Sequence, residues 1–148
     1  MSVQLDANIA TAYEDVRNDK TDTNWMLMEY VDDKTDVLKV AATGTGGFPD
    51  FKNHLKEDKA AFGFVRKVIG NDELSKRAKF VLVSWCGPKV KVMRKAKLSV
   101  HIAEVKSVVK NFAVEISAQN VEELNETEVD LLLKKAMGAN YDRQSSQY

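Results

Sequence analysis

Residues 74–103 read LSKRAKFVLVSWCGPKVKVMRKAKLSVHIA, a stretch that contains no acidic residue. Its eight basic residues are Lys76, Arg77, Lys79, Lys89, Lys91, Arg94, Lys95 and Lys97. The other 118 residues hold 14 basic and 22 acidic side chains, so they carry a net charge of −8 while the whole chain is neutral. Residues 80–86 form an uncharged run that barely alternates, which predicts a central strand buried on both faces. Such a strand would present the flanking positive charge from a rigid scaffold.

The composition favours one domain that folds without disulfides or metals. A chain of 148 residues can bury about two thirds of its unfolded surface. Cys86 is the only cysteine, which excludes an internal disulfide and favours a reducing compartment. The N-terminal residues lack a signal-peptide pattern, and no apolar stretch approaches the roughly 20 residues of a membrane span. The sequence therefore predicts a cytoplasmic protein without a membrane span.

Hydrophobic periodicity predicts an α+β domain with one mixed sheet and helices on its faces. Asp6 is a candidate N-cap for a first helix whose apolar residues, Ile9, Ala12, Tyr13 and Val16, share one face. The segments predicted to be strands are 25–31, 37–42, 60–69, 80–86 and 114–117. A short helix is predicted at 50–57 and the longest helix at 95–112. A last helix begins after Asn125 and stops at Gly138.

Candidates for catalysis and metal binding are few. His54 and His101 each lie on a predicted helix, and neither belongs to a metal-ligand spacing such as HExxH. We interpret His101 as a surface or half-buried helix residue. Cys86 ends the most apolar strand, which indicates a packed thiol rather than a nucleophile. The glycine-rich residues 43–47 lack the Gly-Lys-Ser/Thr ending of a phosphate-binding loop. The sequence therefore predicts no enzyme activity, no cofactor and no metal site.

The basic stretch indicates an acidic partner, because a surface of one sign attracts the opposite sign at long range. Nucleic acid is a poor match, since the domain is neutral and the aromatic pair of the stretch, Phe80 and Trp85, lies in the predicted buried strand. Anionic lipid headgroups require only a lysine cluster and remain an alternative. An acidic protein surface fits a neutral, rigid, single-domain binder best.

Five blocks of the sequence resemble the actin-depolymerising-factor homology family, which includes the cofilins. They are 12–17 (AYEDVR) followed by Trp25, 61–66 (AFGFVR), 74–80 (LSKRAKF) continuing to Trp85, 108–113 (VVKNFA), and 133–136 (LKKA) followed by 138–142 (GANYD). The block before the central strand and the GANYD block are the most specific. The resemblance covers nearly all of the chain.

The resemblance implies a central mixed, mostly antiparallel sheet of five to six strands packed between helices. It implies a single domain over 1–142 with a polar, frayed tail at 143–148. It also implies a non-enzymatic, monomeric protein of the cytoskeleton that binds filamentous actin, which is acidic, and interferes with the capping of filament ends. In the filament-binding members that the chain resembles, a lysine at the position of Lys79 is associated with binding. Lys76 and Arg77 match as well, and the basic residues of 89–97 are expected to form a secondary contact.

The start of the long helix departs from the cofilin pattern. Cofilin-like members begin this helix with a Lys-Met-x-Tyr-x-Ser-type motif that is used on the actin monomer. Here residues 94–100 read RKAKLSV and lack the methionine and the tyrosine. Ser2 lies near the regulatory serine of cofilins, but its neighbours do not match. The departure predicts little monomer binding, little severing and no phosphorylation control of that kind.

Overall fold

The apolar run of the basic stretch lies inside a six-stranded sheet with helices on both faces. The computed structural model describes residues 2–69 and 77–145, with the backbone alone for Arg77 and for 137–145. The elements are β1 (Gln4–Leu5), α1 (Ala7–Arg17), β2 (Trp25–Tyr30), β3 (Val37–Gly44), α2 (Gly47–Lys52), β4 (Ala60–Ile69), β5 (Arg77–Cys86), α3 (Val92–Val108), β6 (Val114–Ala118) and α4 (Glu126–Ser145). A short 3₁₀ turn, Val121–Glu123, precedes α4.

The strand order is β1-β3-β2-β4-β5-β6. The three inner pairings, β3 with β2, β2 with β4 and β4 with β5, are antiparallel. The two outer pairings, β1 with β3 and β5 with β6, are parallel. The fold class is therefore α+β with a mixed, mostly antiparallel sheet, as the resemblance implies.

The alternation of side chains along each strand divides the core into two layers. On one face Met26 and Met28 of β2 pack with Phe62 of β4 and with α1 and α3. On the other face Trp25 and Leu27 pack with α2 and α4. β5 contributes to both layers, because Phe80 and Leu82 face α1 and α3 while Val81, Val83 and Trp85 face α2 and α4. The prediction that this strand is central and buried on both faces is confirmed.

The predicted first helix and all five predicted strands are present. The strand bounds agree within two residues except at β5, which begins three residues early, at Arg77. Asp6 caps α1, since its side chain accepts a hydrogen bond from the backbone N–H of Asn8. Asn125 does the same for the backbone N–H of Glu128 at α4. These elements were predictable because each has a side-chain cap or a clear periodicity.

Four other elements differ from the predictions. β1 has two residues, too few to show a period. α2 begins at Gly47, because Pro49 fits a first helical turn. α3 begins at Val92 without a side-chain cap and ends at Val108, so no capping residue marks either end. The predicted stop at Gly138 is wrong, since α4 continues to Ser145 and is the longer helix, and a mid-helix glycine costs only about 1 kcal/mol.

Candidate functional site

β5 divides the basic stretch into two separate surfaces. The strand has ten residues, and at about 3.3 Å per residue its ends lie roughly 30 Å apart. The ribbon surface contains Arg77 and Lys79 at the start of β5. The helix-start surface contains Lys89, Lys91, Val92, Met93 and Lys95, which follow the end of β5. The basic residues of the stretch that the structure describes therefore do not form one continuous patch.

The ribbon surface lies on two strands that extend past the rest of the sheet. β2 pairs with β4 only as far as Val65, and β6 pairs with β5 only from Val81 onward. Beyond these points β4 and β5 continue to pair with each other as far as Ile69 and Arg77. Lys79 lies in this two-stranded ribbon, is half-buried, and is directly opposite Lys67 of β4.

Consecutive residues of β4 attach the ribbon to the domain on its two faces. The guanidinium of Arg66 donates hydrogen bonds to the backbone oxygens of the loop between α1 and β2, namely those of Asn18, Thr21 and Thr23, at 2.8 to 3.0 Å. On the other face Lys67 Nζ forms ion pairs with Glu126 and Asp130 of α4. Lys79 is on the same face as Lys67, because β4 and β5 are in register here.

Two of the predicted contacts near Lys79 are only partly defined. Lys76 lies outside the described residues. Arg77 is described by its backbone, which begins β5 opposite Ile69. Within the described ranges, no carboxylate lies within ion-pair distance of Lys79. Lys79 therefore adds positive charge at the projecting end of the sheet.

The helix-start surface combines exposed lysines with exposed apolar side chains. Lys89 pairs with Glu57 at 3.2 Å, and both side chains are largely exposed. Lys91 and Lys95 are exposed on either side of Val92 and Met93, whose side chains are 80% and 74% exposed. This apolar pair was not predicted from the sequence, although two consecutive apolar residues off the inward stripe of α3 were a usable signal. Large exposed apolar groups in a cluster are typical of interaction sites.

The observed start of α3 lies before the segment that was compared with the cofilin motif. The helix begins at Val92, so Met93 lies in its first turn. Residues 94–100 hold neither the methionine nor the tyrosine of that motif.

Arg94 and Lys97 bind within the protein instead of extending the helix-start surface. Arg94 is 7% exposed. Its guanidinium donates to Asp36 Oδ1 at 2.8 Å and to the backbone oxygens of Asp32 and Thr35, and it stacks 3.8 Å above the Tyr30 ring. Lys97 Nζ lies 3.1 Å from Asp36 Oδ2. Both cations therefore attach α3 to the turn between β2 and β3.

The ionisation of Asp36 reflects this setting. Burial opposes ionisation of the carboxyl, but the hydrogen bonds and charges of Lys97 and Arg94 outweigh it and hold its pKa below the usual value. One carboxylate thus pairs with two of the eight basic residues and offsets one of their two positive charges.

The side chains of His101 and Cys86 are both buried in the core. His101 is fully buried, which corrects the expectation of a surface or half-buried residue. The Tyr30 hydroxyl lies 2.7 Å from His101 Nδ1; burial lowers the pKa of His101 and raises the pKa of Tyr30 to about 12. Cys86 is buried, as predicted, and burial raises its thiol pKa, which disfavours the reactive thiolate. In the part of the chain that the structure describes, no group of three or more His, Cys, Asp or Glu side chains could hold a metal ion.

None of the helices in ranges 2–69 and 77–145 combines the length and the hydrophobicity that crossing a bilayer requires.

Comparison with known proteins gives consistent matches over most of the chain. Residues 2–134 match the family model described as cofilin/tropomyosin-type actin-binding protein. Coactosin of Dictyostelium discoideum is 39% identical over 139 residues, 93% of each chain. The crystal structure of Entamoeba histolytica coactosin superposes with a TM-score of 0.84 at 30% identity, covering 92% of this chain and 97% of that one. Mouse coactosin, described as an actin filament binding protein, superposes with a TM-score of 0.75 at 35% identity, covering 98% and 99%.

Proposed function

The chain belongs to the cofilin/tropomyosin-type (actin-depolymerising-factor homology) family of actin-binding proteins, and from this premise we propose that it binds the sides of actin filaments, as a protein of the coactosin type. It acts by binding and not by catalysis, in association with the cytoplasmic actin cytoskeleton. A solved relative of similar length is described as an actin filament binding protein, which supports the filament as the partner.

The observation that carries the proposal is the position of Lys79 on the projecting ribbon of β4 and β5. The ribbon extends past β2 and β6, so a partner can approach it without contacting the rest of the sheet. Lys79 provides positive charge there on a backbone that is hydrogen-bonded along its length. Lys76 and Arg77 adjoin it in sequence and are proposed to contribute to the same contact. Positive charge on a rigid element suits the acidic surface of actin.

The helix-start surface is proposed as the second contact. Lys89, Lys91 and Lys95 supply charge there, and Val92 and Met93 supply apolar area that is lost from water on binding. Two surfaces roughly 30 Å apart suit an extended partner. Arg94 and Lys97, first expected to be contacts, are now proposed to hold α3 in place, because their charged groups are bound to Asp36.

Weak monomer binding and weak severing are part of the proposal. Residues 94–100, at the place of the motif used on the actin monomer, lack its methionine and its tyrosine. Occupation of the filament side by a protein that does not sever is expected to hinder the access of capping proteins to filament ends. A pyrene-actin elongation assay with a capping protein tests this: the chain should restore elongation and leave the filament number unchanged.

The main test is cosedimentation with actin filaments at low salt, using the wild type and two variants. Lys79→Ala is expected to weaken binding about tenfold or more, as the loss of a central contact does. The control is Lys39→Ala, which removes the same charge from an exposed position on β3, away from β4 and β5, and should bind as the wild type does. The assignment of the site is wrong if Lys79→Ala and Lys39→Ala pellet equally well.

Binding to anionic lipid is the alternative function. Exposed Val92 and Met93 between Lys91 and Lys95 resemble the mixture of apolar and cationic groups that attaches proteins to acidic membranes. Flotation with vesicles that contain phosphoinositide measures this directly. Capture by these vesicles without cosedimentation with filaments would replace the filament proposal with the lipid one.

A further inference from the structure

Two lysines face each other on the projecting ribbon. Lys67 of β4 and Lys79 of β5 are direct cross-strand partners, with side chains on the same face of the sheet. Directly opposed residues have Cβ atoms about 4.5–5.5 Å apart, and like charges in such a pair destabilise the pairing. The ribbon therefore needs an additional interaction to keep Lys67 and Lys79 side by side.

α4 supplies that interaction through Lys67. The Lys67 side chain is 10% exposed, and its ammonium contacts Glu126 and Asp130. Asp130 Oδ1 lies 3.1 Å from Lys67 Nζ, Glu126 Oε2 accepts a hydrogen bond from the same ammonium, and the Phe48 ring centroid is 5.6 Å away. A nearly buried cation is tolerated only where opposite charge and hydrogen bonds replace its lost hydration.

We propose that Glu126 and Asp130 are positioning residues for the Lys79 contact, an inference that rests on the proposed binding of filaments through that lysine. The two carboxylates hold Lys67 against α4, which fixes the twist and height of the ribbon on this face. Arg66 fixes the opposite face through its bonds to the loop at 18–23. Lys79 is thereby presented at a defined position, although its strand partner carries the same charge.

This role leads to a result that long-range electrostatics alone would not predict. The double variant Glu126→Gln/Asp130→Asn raises the net charge by two, which by charge alone should strengthen binding to acidic actin. If the carboxylates position the ribbon, binding weakens by about fivefold or more, because Lys67 becomes a buried cation without a counter-ion and leaves α4.

A matched control uses two acidic residues of the same region. Glu122→Gln/Glu128→Gln makes the same change in net charge, and both side chains are exposed. Glu128, like Glu126, lies in the first turn of α4, so the control also removes a charge from that helix end. The control variant is expected to bind filaments as tightly as the wild type or more tightly.

A third variant separates positioning from general loss of structure. Adding Lys67→Met to Glu126→Gln/Asp130→Asn removes the unpaired cation, and an apolar side chain of similar length can pack beside Phe48. We expect this triple variant to recover binding to within about twofold of the wild type. Recovery on deletion of a further charge would not follow from loss of a direct contact by Glu126 or Asp130.

The experiment measures cosedimentation and thermal unfolding for the wild type, the three variants above and Lys79→Ala. Weakened binding in the double variant, unchanged or tighter binding in the control and recovery in the triple variant support the positioning role. If Glu126→Gln/Asp130→Asn binds as tightly as the wild type or more tightly, while Lys79→Ala binds weakly, the positioning role is overturned and the filament contact of Lys79 stands. If the double variant unfolds, the folded triple variant decides: binding near wild type supports the inference and weak binding overturns it. If wild type itself does not bind, the proposed function has failed instead.

Discussion

The ribbon surface and the helix-start surface lie at opposite ends of one strand. They differ in which of their cations form ion pairs within the protein. At the ribbon the pleat of β4 and β5 places Lys67 and Lys79 on one face. Glu126 and Asp130 of α4 pair with Lys67, and among the side chains that the structure describes no carboxylate pairs with Lys79. At the helix start, the helical period directs Arg94 and Lys97 inward to Asp36 and leaves Lys91 and Lys95 outside. Local geometry, and not the number of basic residues, decides which cations remain available to a partner.

The two surfaces also differ in what accompanies the charge. Lys79 lies beside Lys67, which is ion-paired with Glu126 and Asp130. Lys91 and Lys95 instead flank two exposed apolar residues. Contact at the ribbon should therefore be more sensitive to salt than contact at the helix start, because salt screens charges and affects apolar burial little at moderate concentration.

The largest expected effect is the loss of stability when Arg94, whose guanidinium is bound inside the protein, is replaced. Arg94→Met should lower the free energy of unfolding by about 2–4 kcal/mol, since it removes three hydrogen bonds and leaves Asp36 with Lys97 alone. Lys95→Met, the neighbouring exposed residue, should change it by less than about 0.5 kcal/mol. Urea denaturation of both variants measures the difference. If the two variants have equal free energies of unfolding, Arg94 contributes no more to stability than the exposed Lys95 does.

A smaller effect is expected from pH. Burial depresses the pKa of His101 in the folded protein, so the unfolded chain takes up its proton first as the pH falls. The stability that neutral His101 contributes is therefore complete above its unfolded pKa of about 6.5 and declines below it, by at most about 1.4 kcal/mol per pH unit. The groups facing His101 are Tyr30, Asp36, Arg94, Lys97 and Glu104.

Urea denaturation at pH 7 and at pH 5.5 measures this effect in the wild type and in His101→Gln. The wild type should lose more stability than the variant between the two pH values. An equal loss in both proteins would assign the acid sensitivity to other groups. In either case the readout concerns α3 and not the ribbon, because His101 packs between α3 and β2.

The smallest effect concerns the apolar part of the helix-start surface. Met93→Ala should weaken filament binding about three- to fivefold, the cost of losing part of one exposed apolar contact. Its salt dependence should match that of the wild type, whereas Lys79→Ala should bind with a reduced salt dependence. Cosedimentation at several salt concentrations measures both slopes. Identical slopes for the two variants would show that the contacts at the two surfaces depend equally on charge.

Much of the fold was predictable from local patterns. The strand predicted at 25–31 is present as β2, and the alternation of its side chains places Trp25 and Leu27 in one layer and Met26 and Met28 in the other. The uniform apolar run of β5 predicted its central position. Hydrophobic periodicity predicted only the α+β fold class. The family resemblance added the number of strands and their mostly antiparallel pairing.

The distribution of charge between the two surfaces was not predictable in the same way. Arg94 and Lys97 share the carboxylate of Asp36, which is about 60 residues away in sequence. Lys67 pairs with residues of α4 that follow it at a similar distance. Such pairs depend on how distant elements pack against each other, and the composition of one stretch of sequence does not reveal this packing. His101 was misjudged for the same reason, since its burial depends on Tyr30 of β2 as well as on its own helix.

The ten-residue length of β5 fixes the distance between the ribbon surface and the helix-start surface. Insertion of two residues would move the ribbon and the start of α3 apart by about 7 Å, and insertion of one would rotate Lys79 to the opposite face of the sheet. Changes in length are therefore far better accommodated in the turn at 87–91 than within the strand. Relatives that bind the same partner through both ends are expected to keep the residue count of this strand even where their side chains diverge.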